Sequence, residues 1–285
     1  MTRNLYSFDR GLEARDLDLR LLAQRLVRQI HETTSVFEPR RAKGHRTVVS
    51  QGWRNRLLNY EWPYRTAFIE ASEQVEGLAN NLGELSRKLD RGCALSAAEG
   101  QKLQQAARKV FEWGGVTRGA SKQSPPVEVI NSVIRSALSW APVSGAPMDS
   151  GWTKIAALST HWLEGTVRTP QVIYDSRVAN ALVRNVEKLA AGEDKEWLAG
   201  FFPCLRQRLG TVPGRGGTRN EPYQLPWKSG YGSWEAQYFG SLLVCLMRNA
   251  LNAEPQRYGL MPIAGKPDSV WTMRGVEMVL FMDGY

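Results

Sequence analysis

Gly151-Trp-Thr-Lys-Ile-Ala-Ala-Leu158, followed by Pro170-Gln-Val-Ile-Tyr-Asp-Ser-Arg-Val178, carries the reading of this chain. The first stretch opens a helix over 151–163 whose core face is Ile155, Leu158, Ser159 and Trp162, with Lys154 pointing off that face. A lysine in a first turn sits at the positive end of the helix dipole, which disfavours the ammonium and lowers its pKa. A neutral amine is a nucleophile. The second stretch ends in Asp175, the N-cap of a helix over 176–190 with the stripe Val178, Leu182, Val186 and Leu189. A capping carboxylate can support a sugar cation or orient an incoming nucleophile.

Helical periodicity extends outward in both directions. Leu19, Leu22, Ala23, Leu26, Val27 and Ile30 form one apolar stripe, and 66–88 and 96–113 read as further amphipathic helices. Another begins after Pro125-Pro126 with Val127, Val129, Ile130, Val133, Ile134 and Leu138. Helices over 233–251 and 272–282 complete the set, with Trp234, Tyr238 and Phe239 as core residues. Residues 47–50 are the best strand candidate, so the pattern is all-α. No internal repeat or low-complexity tract is visible.

Lysine and arginine outnumber aspartate and glutamate by 37 to 28 in the 285 residues, a net charge of +9. That sign suits a polyanionic partner. The charge concentrates in two irregular segments. One, 38–56, carries Arg40, Arg41, Lys43, Arg46, Arg54 and Arg56 around Trp53; the other, 206–219, carries Arg206, Arg208, Arg215 and Arg219 among glycines. Together they suggest a surface that follows phosphates. The glycine-rich segment lacks the Gly-Lys-Ser/Thr ending of a nucleotide-binding loop. Three scattered cysteines and three unpaired histidines give no disulfide framework, metal site or Ser-His-Asp set, so no metal or cofactor is expected and the cysteines read as core packing. The apolar run over 241–247 is too short for a bilayer and the N-terminus has no signal-peptide core, which makes the expected location cytoplasmic.

Three segments resemble, in order, motifs of the helix-hairpin-helix DNA glycosylases, and among them the 8-oxoguanine DNA glycosylase branch. They are Thr153-Lys154-Ile155-Ala156 at a helix start, Pro170-Gln171-Val172 leading to Asp175, and Glu277-Met-Val-Leu-Phe281 on the last helix. The 21 residues from Lys154 to Asp175 are close to the branch's own offset. The likeness covers roughly residues 145–285; the N-terminal half shares only a helical texture.

The resemblance implies a helix-hairpin-helix, two-lobed helical fold with the active site between lobes. Residues 1–140 would form the N-terminal lobe with basic loop 38–56; residues 141–285 would hold the hairpin, the catalytic segment, basic loop 206–219 and the pocket helix. It implies an enzyme that flips a damaged or modified base out of double-stranded DNA and cuts its N-glycosidic bond with Lys154 and Asp175. An abasic site remains, and a Schiff base on Lys154 would allow strand cleavage. No protein partner is required. Phe281 would stack on the base and Glu277 would read its edge, since i, i+4 spacing puts both on one helical face. Trp152 would border the pocket or wedge its helix against the core. The turn Trp113-Gly-Gly-Val-Thr-Arg118 would fill the gap left by the extruded base, with Arg118 on the DNA.

Two departures stand out. Asp149-Ser-Gly-Trp152 replaces the hairpin's usual Gly-x-Gly, and the branch's glutamine is Glu277 here. An ionised glutamate only accepts hydrogen bonds, which suits the exocyclic amine of a cytosine-type or adenine-type base, and a modified cytosine of phage DNA would suit a bacterial defence enzyme. Excision of 8-oxoguanine, a monofunctional enzyme using water, a non-catalytic DNA-binding module on the same fold, and a helical adaptor for RNA or protein are the other readings.

Overall fold

Amphipathic spacing becomes helix along most of the chain. The structure, a computed structural model, describes residues 8–37, 47–62, 67–210, 223–228, 230–263 and 266–284. In chain order the elements are α1 (Arg10–Glu13), α2 (Asp16–Glu32), β1 (Thr34–Phe37), β2 (Val48–Gln51), α3 (Trp53–Leu58), α4 (Phe68–Asp90), α5 (Ala97–Trp113), α6 (Ala120–Gln123) and α7 (Val127–Ser139). There follow α8 (Trp152–Thr160), α9 (Ser176–Ala191), α10 (Lys195–Arg208), α11 (Trp234–Ala253), α12 (Pro255–Tyr258), β3 (Met261–Ile263), β4 (Lys266–Ser269) and α13 (Met273–Asp283). Among the described residues, β1 pairs antiparallel with β2 and β3 with β4, each as a two-stranded ribbon. No helix among them is long and apolar enough to cross a membrane.

Every helix expected from periodicity forms, and α10 is an addition. Although Gly200 and Pro203 lie within it, Leu198, Phe201 and Leu205 recur at i, i+3 and i+7 and are all buried. Burying that stripe outweighs the one backbone hydrogen bond that a helical proline forfeits. The helix takes in Arg206 and Arg208, the start of the segment read as a basic loop, and Arg208 Nε donates to Asp9 Oδ2 at 2.7 Å. Of the three cysteines, Cys245 alone is fully buried; Cys93 is exposed and Cys204 half-buried, a correction to their expected place in the core.

Two helices are enclosed by the others. All nine residues of α8 are buried, and so is α11 from Ala236 to Met247. Helices α4, α5 and α7 pack on α8, whereas α2 packs on α9 and α11 and α13 packs on α9 and α11. Helix α7 stops at Trp140, which takes a left-handed φ of 54°. That conformation costs a non-glycine residue about 1 kcal/mol, and here the Trp140 ring is stacked on Tyr238 with centroids 5.7 Å apart. The turn between Trp140 and Gly151 then returns the chain against α7 as α8. Asp149 closes this turn, its Oδ1 accepting from the N–H groups of Gly151 at 2.7 Å and Trp152 at 3.1 Å.

Arg56 is a correction to the DNA-contacting set. It is buried, paired through Nη1 with Asp283 at the end of α13, and its Nη2 donates to the Thr33 carbonyl at 2.6 Å. Removing one member of a buried pair leaves the other charge uncompensated. Arg56→Ala is expected to lower the unfolding free energy by about 3–5 kcal/mol in a urea titration; a loss below about 1 kcal/mol, the range of surface pairs, contradicts this role.

Candidate active site

Residues 170–175 are buried and belong to neither helix nor strand. A backbone in that state must find partners for its N–H groups outside regular structure. Side chains from three helices supply them. The Gln171 N–H donates to Thr160 Oγ1 at 2.9 Å and that of Tyr174 to Thr153 Oγ1 at 2.7 Å, both on α8. The Val172 N–H donates to Ser241 Oγ on α11 at 3.1 Å, and the Ile173 N–H to Glu277 Oε2 on α13 at 2.8 Å. Gln237 and Gln171 tie these donors together: Thr153 Oγ1 donates to Gln237 Oε1 at 2.6 Å, and Ser241 Oγ to Gln171 Oε1 at 2.9 Å. The Tyr174 ring lies flat against Gly240, where any Cβ would fall inside it.

This connector delivers Asp175 to the start of α9, as its sequence position suggested. Asp175 Oδ1 accepts from the N–H groups of Arg177 at 2.9 Å and Val178 at 3.3 Å, leaving Oδ2 turned toward Lys154. The two ends of the pair are 3.9 Å apart, and each side chain is 5% exposed. Lys154 Nζ donates to the Ser150 carbonyl at 2.6 Å. Its stem rests on Gly114 at the end of α5, where a Cβ would come within 2.5 Å of Lys154 Cδ. The turn read as a gap filler therefore backs the lysine, while Arg118 at its far end is exposed.

Burial is the main force pushing the Lys154 amine down from its ordinary value, with Arg177 and Arg274 adding to it and Asp175 and Asp149 opposing. The helix dipole argument gave the right direction and missed the larger cause. Each carboxylate nearby already faces another cation: Asp175 has Arg177 Nη1 at 3.8 Å, Asp149 has Lys122 Nζ at 2.7 Å, and Glu277 has Arg274. A protonated Lys154 would be a fourth cation beside three matched pairs. The neutral amine leaves the balance even.

Three members of the expected base pocket separate here. Phe281 lies beside Trp62 and Tyr60, with ring centroids 5.5 and 6.0 Å away. Glu277 is a correction: it holds the Ile173 N–H and Arg274, so its acceptor capacity serves the protein and the argument for an amine-bearing cytosine loses its support. Trp152 takes the second of its two expected places, packed edge-on against Phe111 at 5.0 Å inside the core. Of the expected DNA contacts, Arg54 pairs with Asp268 on the surface; Arg40, Arg41, Lys43, Arg46, Arg215 and Arg219 lie outside the described residues. Sequence reasoning missed Arg177, Arg274, Trp62 and the Lys122–Asp149 pair. Arg177 stands two residues after Asp175 and Arg274 three before Glu277, but a lone arginine carries no pattern of its own. Among the described residues no group of His, Cys, Asp and Glu could hold a metal ion.

No family model, curated protein or solved structure matches the chain. The likeness to the glycosylases therefore rests on the short sequence motifs alone.

Linkage gives a test of the amine. A lysine whose folded pKa is lowered makes the unfolded chain the better proton binder between the two values, so stability rises with pH across that window. The penalty is full below the lowered value and vanishes above about 10.4, the unperturbed lysine. Urea unfolding between pH 7 and 10 should show wild type gaining stability relative to Lys154→Met as pH rises. Parallel curves would mean that Lys154 titrates as an ordinary surface lysine.

Proposed function

We propose that the chain is a DNA glycosylase in which Lys154 is the nucleophile and Asp175 supports positive charge at the sugar. The observation that carries the reading is a buried lysine amine, set among already matched charges, 3.9 Å from an aspartate fixed by backbone N–H groups. Surface packing does not call for such a pair. Burying it costs several kcal/mol per ion unless one partner is neutral, and perturbed groups of this kind gather at reactive sites.

In this reading an extruded nucleotide brings its C1′ to within about 3–3.5 Å of the Lys154 amine. The N-glycosidic bond breaks, and the base departs with the bonding pair and takes up a proton. The Asp175 carboxylate offsets charge on the sugar ring while the Lys154 nitrogen bonds to C1′, losing a proton as it does so. Opening of the sugar gives a Schiff base. Water then returns the lysine and an abasic site, or loss of the 3′ phosphate cuts the strand. The net charge of +9 and the packing of α7 on α8, with residues 140–151 joining them ahead of the lysine, support DNA as the substrate and the helix-hairpin-helix arrangement as the fold.

The burial of both side chains favours one rival, a module on this architecture that binds DNA without chemistry. The test is a panel of duplex oligonucleotides carrying modified and undamaged bases, with any released base identified by mass spectrometry. Wild type is expected to release at least one base. Asp175→Asn is expected to slow release about 100-fold or more, the range for removing a charge-stabilising group, and Lys154→Gln to stop it. Binding with no base released across the panel favours the rival, and release that survives both substitutions removes these residues from the reaction.

A further inference from the structure

A cavity of about 440 Å³ opens between the end of α4, the start of α5 and α7. Its volume falls in the range of small-molecule sites, about 300–1,000 Å³. Leu89, Leu95, Ala97, Gly100 and Val127 give it an apolar wall. That wall is fixed without a ligand. Lys88 Nζ donates to Glu99 Oε1 at 2.6 Å and ties α4 to α5, while Gln104 Nε2 donates to the Pro125 carbonyl at 2.9 Å and ties α5 to the start of α7. Gly100 at this end of α5 and Gly114, which backs Lys154 at the other, are 14 residues apart. About 21 Å of helix therefore separates the cavity from the lysine.

Two polar side chains of the lining have unmet capacity. Asn131 Oδ1 is buried and accepts no hydrogen bond, a state that buried acceptors rarely keep. Arg135 is exposed and, among the described residues, belongs to no ion pair. Its neighbours one turn away on α7 are Asn131, Ser132, Leu138 and Ser139, and no residue lining the cavity is acidic. The N-terminus of α5 is already capped by Ser96 and Glu99, so the positive charge at the cavity is that of Arg135. Spacing of i and i+4 puts the acceptor and the cation on one face of α7, one turn apart.

We propose that this cavity binds a small carboxylic acid with an apolar side chain and a hydroxyl on the carbon next to the carboxylate. The guanidinium of Arg135 takes the carboxylate through charge-assisted hydrogen bonds. The hydroxyl donates to Asn131 Oδ1, and the apolar chain lies on Leu89, Leu95 and Val127. One helical turn between acceptor and cation is what requires the hydroxyl and the acid to be neighbours in the ligand. The site does not depend on the base-excision reading.

The test titrates the purified full chain with phenyllactate, phenyllactamide and hydrocinnamate, and reads affinities from backbone amide NMR shifts. Wild type is expected to bind phenyllactate saturably, with the amides of Leu95, Gly100 and Asn131 shifting. It should bind the acid about tenfold or more tightly than phenyllactamide, which lacks the charge, and about fivefold more tightly than hydrocinnamate, which lacks the hydroxyl. These comparisons are made on wild type and need no variant. Arg135→Met, which keeps the apolar stem, is expected to remove the preference for acid over amide. Ala97→Trp, which fills the cavity, is expected to abolish binding, while Ala98→Trp, one residue on and outside the lining, leaves it intact. No saturable binding to wild type, equal affinity for acid and amide, or binding that survives Ala97→Trp overturns the proposal.

Discussion

A buried stretch of chain without helix or strand governs this structure. Residues 170–175 pass through the core, and an unmet backbone N–H there costs about 1–3 kcal/mol. Four consecutive N–H groups are met by Thr160, Ser241, Glu277 and Thr153. The connector is thereby fixed against α8, α11 and α13 at once. Lys154 follows Thr153 on α8, and Asp175 ends the connector, so the distance between amine and carboxylate is set by hydrogen bonds of the core. Of the residue types that suggest a glycosylase motif, the threonine before the lysine also satisfies this backbone, and the glutamine before the aspartate holds Ser241, which does so too.

The electrostatics follow from the same burial. An amine enclosed by α8 loses hydration, and the carboxylates close enough to compensate are already engaged by Arg177, Lys122 and Arg274. Burial also lowers the Arg274 and His161 values, but a guanidinium keeps its charge at neutral pH. Burial is also the largest cause of the lowered Lys154 value. In the proposed reaction this amine is the nucleophile.

The helices were legible because long stripes with period 3.6 survive any tertiary context, and α2, α4, α5, α7, α9 and α11 all lie where their stripes predict. Helix α8 was read as one-sided from Ile155 and Leu158, yet it is enclosed on every side; a nine-residue helix of small and apolar residues gives little contrast between faces. Helix α10 was hidden by Gly200 and Pro203. Asp175 was placed as an N-cap because capping is a local property. The partners of Glu277 and Arg56 were not legible, since Ile173 and Asp283 are 104 and 227 positions away and no periodicity links them. The same holds for Trp62, which reaches Phe281 from the other end of the chain.

The central claim is that one lysine, held neutral by burial and placed by the connector, forms the bond to the sugar. The most direct measurement is to reduce the protein with borohydride while it acts on a duplex whose base it releases, digest the adduct, and locate the sugar fragment by mass spectrometry. The account predicts the fragment on the nitrogen of Lys154. A fragment on another lysine or on the N-terminal amine, with Lys154 unmodified, would contradict it.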